Sequence, residues 1–574
     1  MSRRELSGVG ASKGLALGRA QVREPHMLDV EERRVEEAAV ENEIARLHAA
    51  VAAAASELVA LRERVHGALA HELGEFLDLH AMILDDPELL AGLDNLVRTG
   101  RYAAGYALKL QRDRLAAVFE GIDDPYLRSR REDLDHVIGR VYAALNRGSG
   151  TDSAVNVGSG DVLVTDTVAP AELAQLSERG VVAIVTAQGS PLSHSAILAR
   201  SLHLPLVVGA HEALAHINDG DALIVDGVSG RIVVEPGEAD LREFARLQRE
   251  NERERRTLAR LKGAPDRTLD GVDIHLHANA ESREDVSQAY GLGAASIGLY
   301  RTEFLFLQRR ELPDEDEQFE AYRDLALGMN GRPVTLRTLD LGADKADSSG
   351  VALSNEPNPA LGLRGVRLSL ARAPLFRTQL RAMLRASGYG PLRILVPMVS
   401  MREEVLAVRA LLHECARDLR TEGFEISDHI ELGAMIEVPA AALALPMLIR
   451  HLDFVSVGTN DLVQYLLAAD RGNDAVASLY TPLHPAVLRL LHDVIATGRK
   501  RKVPVTICGE LAGDARYTRL LLALGLIDFS MHPSTLLEVR RVIRSSDHHA
   551  LRQRAAALLR APDRAAIERS LATL

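Results

Sequence analysis

Residues able to do chemistry gather in two parts of this 574-residue sequence. The first is Gly189-Ser-Pro-Leu-Ser-His-Ser-Ala-Ile-Leu-Ala-Arg200, with His194 at its centre. Val181-Val-Ala-Ile-Val-Thr186 before it reads as a buried strand. Ala196, Ile197 and Leu198 after it continue as a helix. His194 therefore falls at a strand-to-helix turn, where unpaired backbone N–H groups and the positive end of the helix dipole suit a phosphate-bearing side chain. Ser193 is placed to cap that helix or to offer its hydroxyl to a phosphoryl oxygen. By itself, a His beside a Ser is more often a cap neighbour or a satisfied core histidine than a nucleophile. The second group lies in the C-terminal half: Arg301, Arg337, Glu437, Asn460, Asp461, Arg471 and Cys508. Arginines offer planar, bidentate donors to phosphate and carboxylate oxygens. Glu437 and Asp461 are hard oxygen ligands suited to Mg²⁺ completed by water and substrate oxygens. Asn460 adds an uncharged donor. A thiol such as Cys508 is usually a small hydrophobe, but with a pKa near neutrality it serves as a general acid. Each arginine alone would be read as a surface salt bridge; together with a metal pair and a thiol they fit a small, multiply anionic substrate.

The elements that must position these residues follow from periodicity. From residue 272 onward, strands alternate with helices, and eight strand candidates stand out: 274–278, 296–300, 334–338, 393–398, 432–438, 454–457, 505–508 and 527–531. Eight β/α units over about 300 residues suit a TIM barrel, whose active site lies at the C-terminal ends of its strands. Asn279, Arg301, Arg337, Glu437, Asn460, Asp461 and Cys508 each fall at or just past such an end. Upstream, residues 158–235 read as a small α/β domain holding His194, and 6–22 as strand and loop. Between them, from about Asp29 to Arg147, helical periodicity dominates, with Leu47, Val51, Leu58, Leu61 and Val65 on one stripe. A charged helix over 237–264, carrying Leu241, Phe244, Leu247, Leu258 and Leu261, reads as a connector that ends near Gly263 and Pro265.

Composition narrows the function classes. Hydrophobic and charged contents of 47% and 26% are those of a soluble globular protein. A net charge of -12 argues against a nucleic-acid partner and for a basic protein partner. No apolar run approaches the roughly 18 residues of a membrane span, so no membrane insertion is expected. Two cysteines, Cys415 and Cys508, make no disulfide framework, and a cytoplasmic location follows.

The segment around His194 resembles the phosphohistidine motif of enzyme I of the bacterial phosphoenolpyruvate-dependent sugar phosphotransferase system, also found in phosphoenolpyruvate synthases and pyruvate phosphate dikinases. Gly298-Leu-Tyr-Arg-Thr-Glu-Phe-Leu-Phe306, Arg337-Thr-Leu-Asp340, Met435-Ile-Glu-Val-Pro439, Gly458-Thr-Asn-Asp461, Asp470-Arg-Gly-Asn-Asp474 and Cys508-Gly-Glu-Leu-Ala-Gly-Asp514 resemble that family nearly letter for letter. The chain departs from it at Ser190 and Leu192, where the family has a second glycine and a threonine. It departs also at Ala169 of Thr167-Val-Ala-Pro170, and at Ala343 before Asp344-Lys345. The resemblance implies a multidomain α/β protein. Its phosphohistidine α/β domain takes 1–28 and 148–236, and an all-helical insert at 29–147 docks a small histidine-containing phosphocarrier protein. A helical linker spans 237–266, and a phosphoenolpyruvate-binding TIM barrel that also dimerises spans 267–574.

The activity implied is transfer of the phosphoryl group of phosphoenolpyruvate to His194, Mg²⁺-dependent and releasing pyruvate, then onward to the carrier for sugar uptake. Carried over position by position, the resemblance implies that Arg301, Arg337, Asn460, Asp461 and Arg471 bind phosphoenolpyruvate. Glu437 and Asp461 hold the metal, and Cys508 protonates the enolate carbon. His194 lies outside the barrel, so its domain must visit the barrel during turnover. A synthase or dikinase would need a nucleotide-binding domain ahead of His194, where only helices stand. A nitrogen-branch paralogue, a non-catalytic regulator and a metal-dependent aldolase are the alternatives, and the aldolase leaves His194 without a role.

Overall fold

The computed structural model describes residues 3–23, 32–64, 77, 80–120, 125–146, 158–191, 193–202, 204–306, 312–342, 358–470 and 476–574. The chain divides into two compact units, Met1–Arg253 and Glu254–Leu574.

In the first unit, β1 (Arg4–Ser7), β2 (Val9–Ser12) and β3 (Leu15–Val22) open the chain. Among the described residues, helices α1 (Val40–Arg64), α2 (Pro87–Gly100), α3 (Ala104–Glu120) and α4 (Pro125–Asn146) follow, with residues 80–84 helical as well. Leu47, Val51 and Leu58 of α1 are buried, as their stripe predicts, with Leu93, Leu108 and Val137 of the other helices; Leu61 and Val65 lie outside the described side chains. Within the acidic stretch of the helical insert at 71–89, residues 71–76, 78 and 79 lie outside the described residues. The chain then completes an α/β layer with β4 (Asp161–Thr165), α5 (Pro170–Glu178), β5 (Ala183–Thr186), α6 (His194–Ser201), β6 (Leu206–Val208), β7 (Ala222–Asp226) and β8 (Arg231–Val234). The sheet order is β1-β8-β7-β3-β4-β5-β6-β2. Strands β3 to β6 run parallel, their inner members crossed over by α5 and α6, while β1, β2 and β7 pair antiparallel with their neighbours. β4 and β5 are almost uniformly apolar because both faces are covered.

The helix α7 (Glu238–Ala259) carries the boundary between the units. Its side chain Phe244 packs on Ile224 and Val233; residues 248–257 are all exposed. Such a stretch has charged pairs such as Arg246 with Glu243 and Glu250 at its start and little apolar contact beyond.

The second unit is a closed barrel of eight parallel strands: β9 (His275–Ala280), β10 (Ile297–Arg301), β11 (Val334–Arg337), β12 (Leu392–Val396), β13 (Glu431–Ile436), β14 (Phe454–Val457), β15 (Val505–Ile507) and β16 (Asp528–Met531). β16 pairs back onto β9 from Asp528↔His275 to Met531↔Ala278. All the strands expected from sequence are present, with ends shifted by no more than two residues. On β9, Leu276, Ala278 and Ala280 join the core under the helices, so His275, His277 and Asn279 alternate toward the lumen. Two helices matter below: α8 (Thr459–Leu467) after β14 and α9 (Leu536–Arg544) after β16. Arg540 of α9 is wholly buried. Its guanidinium bonds the Asp266 carboxylate at 2.6 and 3.2 Å and the carbonyls of Leu261, Leu292 and Gly293 at 3.0, 2.8 and 3.0 Å. That one side chain ties the end of the connector to the N-terminal face of the barrel.

Candidate active site

His194 is the first residue of α6, directly after the N-cap Ser193, whose hydroxyl accepts from the Ala196 amide at 3.3 Å. The helix starts at the C-terminal ends of the parallel strands β4 and β5, where open α/β sheets bind ligands. The backbone there is pinned from several sides. Ser195 Oγ donates to the Val168 carbonyl at 2.7 Å, and Arg200 donates to the carbonyls of Pro191 and Ala11, both at 3.0 Å. Gln188 donates to the Asp166 carboxylate at 3.0 Å, and burial raises the Asp166 pKa above its ordinary range. Ala169 is the N-cap of α5 and makes no side-chain cap bond, in keeping with the missing hydroxyl. Leu192 lies outside the described residues, and so does the side chain of His194.

On the barrel, the sequence's candidates converge on one rim. Arg301 ends β10, and its guanidinium meets the Glu281 carboxylate. Arg337 ends β11 and is largely buried, 3.2 Å from both Glu303 and Asp340. Burial alone would lower its pKa; Glu303, Asp340 and Glu437 more than offset this and hold it raised. Its Nε is buried and makes no hydrogen bond within the protein, as is true of Glu303 Oε2. Glu437 follows β13 and is 1% exposed. Its carboxylate accepts the Met398 amide at 2.6 Å, and Met398 holds a left-handed φ of 57° to deliver that bond. Asp461 lies in the first turn of α8. One oxygen each from Asp340, Glu437 and Asp461 lie within 4.8 Å of one another. Burial, then Asp340 and Asp461, push the Glu437 carboxyl up to about 8.

Asn460, beside Asp461, exchanges bonds with Glu510, its amide donating at 2.9 Å and its oxygen accepting the Glu510 N–H at 3.1 Å. Cys508 follows β15 and packs among Leu299, Leu395, Met435 and Phe454. Gly509 after it has no room for a side chain, since a Cβ would sit 1.9 Å from Thr459 Oγ1. The near-neutral thiol expected from sequence is corrected here: burial pushes Cys508 up to about 11. A group in that state is protonated at neutral pH, which suits a proton donor and not a nucleophile. Arg471 and the Ala343-Asp344-Lys345 loop lie outside the described residues.

Two rim residues escaped sequence reasoning. Asp340 stood inside the Arg337-Thr-Leu-Asp340 motif but three residues past a strand end, where only the fold turns it back to Glu437. Arg364 follows no strand at all. It bonds Asp340 at 3.0 Å, lies 3.7 Å from Asp461 and donates to the Tyr465 hydroxyl at 3.3 Å. Burial opposes its charge, and Asp340 and Asp461 raise its pKa in spite of that.

The chain is similar to known proteins along most of its length. Three family models match the chain: "PEP-utilising enzyme, N-terminal" over 7–130, "PEP-utilising enzyme, mobile domain" over 157–230, and "PEP-utilising enzyme, PEP-binding domain" over 255–548. A phosphoenolpyruvate-protein phosphotransferase of Cupriavidus necator is 44% identical over 551 residues, covering 94% of either chain. One of Geobacillus stearothermophilus is 41% identical over 535 residues, covering 93% of this chain and 92% of that one. A solution structure of an Enzyme I protein covers 43% of this chain and 99% of its own at 29% identity, with a TM-score of 0.34. The chain is an enzyme that belongs to the phosphoenolpyruvate-protein phosphotransferase family.

Proposed function

We propose that this enzyme draws the phosphoryl group of phosphoenolpyruvate onto His194, releases pyruvate, and hands the group to a histidine of a small phosphocarrier protein at the head of sugar uptake. The observation that carries the reading is the rim itself. Arg337 and Arg364 pair with the cluster of Asp340, Glu437 and Asp461, and Arg301 ends β10 on the same rim beside Glu281, with a protonated thiol close by. A phosphoenolpyruvate molecule presents a phosphate and a carboxylate, and fixed guanidinium groups match both. Arg337 Nε is left to donate to a substrate oxygen, and Asn460, Asp461 and Arg471 complete the substrate's surroundings.

The acid cluster fits Mg²⁺ by the chemistry of its donors. Three hard oxygens crowd together, and burial beside Asp340 and Asp461 raises the pKa of Glu437, a repulsion that a bound cation would relieve. Asp340, Glu437 and Asp461 would hold the ion, which supplies positive charge to the phosphate and to the developing enolate oxygen. The arginines orient the substrate and share that charge. His194 attacks phosphorus as a neutral imidazole, and the first-turn amides of α6 receive the phosphoryl oxygens. Cys508 then gives its proton to the methylene carbon.

The net charge of -12 favours a basic carrier. Met401, Leu406, Leu443 and Met447, all exposed on the barrel, favour a homodimer. Two free thiols accord with a reducing cytoplasm, and no described helix is long and apolar enough to cross a membrane.

Incubating the protein with phosphorus-32 phosphoenolpyruvate and Mg²⁺ tests the reading. Acid-labile, base-stable label is expected on the wild type, absent from His194→Ala, and passed on to a small histidine carrier. Bound phosphoenolpyruvate without label would leave a regulator or a different barrel enzyme.

A further inference from the structure

The Cys508 sulfur packs among Leu299, Leu395, Met435 and Phe454 and donates to the Val457 carbonyl at 3.5 Å, an ordinary length for sulfur. The direction in which its side chain leaves the backbone is set by the two peptide groups that flank it. The N-terminal side is fixed by the amide, which donates to Val457 at 3.1 Å. The C-terminal side is fixed from across the lumen, by Asn279 on β9, whose Nδ2 donates to the Cys508 carbonyl at 2.8 Å. A carbonyl only accepts, so this contact decides which end of the Asn279 amide faces Cys508. The other end, Oδ1, accepts the Ser530 hydroxyl of β16 at 2.6 Å, and Ser530 is fully buried. Space for that hydroxyl comes from Gly298 on β10: a Cβ there would lie 2.4 Å from Ser530 Oγ and 2.8 Å from His277 Cβ. Four strands thus converge on one carbonyl oxygen in the upper lumen.

We propose that Asn279 is a positioning residue for proton delivery: held by Ser530, it fixes the Cys508-Gly509 peptide and so aims the thiol at the substrate's C3 carbon. This rests on the reading of Cys508 as the proton donor. In the step concerned, the S–H bond breaks and a C3–H bond forms. The enolate electron pair moves to C3 as the C=O of pyruvate forms, and water later returns a proton to the thiolate. Misplacing a reacting group by about 1 Å costs on the order of 100-fold, whereas the phosphoryl half of the reaction does not use the thiol.

The test separates the two halves in the full-length protein. Exchange of the pyruvate methyl hydrogens with D₂O, in the presence of Mg²⁺, is followed by proton NMR. Single-turnover labelling of His194 from phosphoenolpyruvate is measured on the same samples. Asn279→Ala and Asn279→Asp are expected to slow exchange by roughly 10- to 100-fold while labelling stays within about 3-fold. Asn279→Asp keeps the shape and the Ser530 bond but loses the donor, so it distinguishes aim from packing. Cys508→Ala should abolish exchange. If Cys508→Ala exchanges like wild type, the reading of the thiol fails. If Cys508→Ala is silent while both Asn279 variants exchange like wild type, the inference fails and the thiol's role stands. Equal loss of labelling and exchange in both Asn279 variants would make Asn279 a general support and also overturn it.

Discussion

Glu437 buries a carboxyl between Asp340 and Asp461, so in the absence of a cation the folded chain retains a proton that the unfolded chain would release. Its folded pKa of about 8 lies above the ordinary 4.5. The sign follows: its contribution is most favourable below pH 4.5, declines as pH rises toward about 8, and is flat beyond. Thermal melts of metal-free protein should therefore fall across that window, and Mg²⁺ should raise Tm more at pH 8 than at pH 5. Glu437→Gln should flatten the profile, raising Tm at pH 8 by roughly 2–4 °C per kcal/mol recovered, while cutting His194 labelling at least about 100-fold. A wild-type profile already flat between pH 5 and 8 would contradict this. The positions of Arg301, Arg337, Glu437 and Cys508 were legible in the sequence because each lies at or next to a strand end, and that of Asp461 because it opens the helix after β14; both follow from β/α alternation. Asp340 and Arg364 were not, since loop conformation turns them back to the rim. Nor was the state of Cys508, because burial in a lumen of Leu299, Leu395, Met435 and Phe454 is a property of the closed barrel and not of any local segment.

At the scale of an element, the tie between α9 and the connector is the most exposed to a single change. Arg540 satisfies Asp266 and three carbonyls at once. Removing it strands a carboxylate whose pKa burial already raises. Arg540→Ala should cost about 3–5 kcal/mol, read as a lower urea midpoint for the second unit, and Asp266→Asn in the same chain should recover part of it. A loss below about 1 kcal/mol would mean that water replaces the bonds freely. The element types themselves were readable throughout. β-branched runs such as 181–186 gave strands, and the leucine stripe of α1 gave a helix. The Arg540 tie was invisible, since its partners lie up to 279 residues away in sequence.

Over the whole molecule, the exposed stretch of α7 buries little apolar surface. With residues 248–257 exposed, it is held by its backbone bonds and by surface polar contacts such as Glu254 with Arg541, which protect amides weakly. Amides there should exchange with deuterium far faster than those of β11 to β14, whose side chains fill the barrel core. Protection equal to that of the barrel strands would show that this helix is covered. The sequence already announced a charged connector here, because a helix with so few apolar residues has no face to bury. Barrel closure, in turn, has a consequence during synthesis. β9 finds its second neighbour only in β16, about 250 residues later, so a nascent chain leaving the ribosome carries an open sheet edge for roughly 10–50 s. The first unit faces the same delay, since Arg4 to Ser7 wait for Arg231 to Val234. Its last strand nevertheless emerges before the barrel begins, so the half bearing His194 is complete while the other is still open to chaperones.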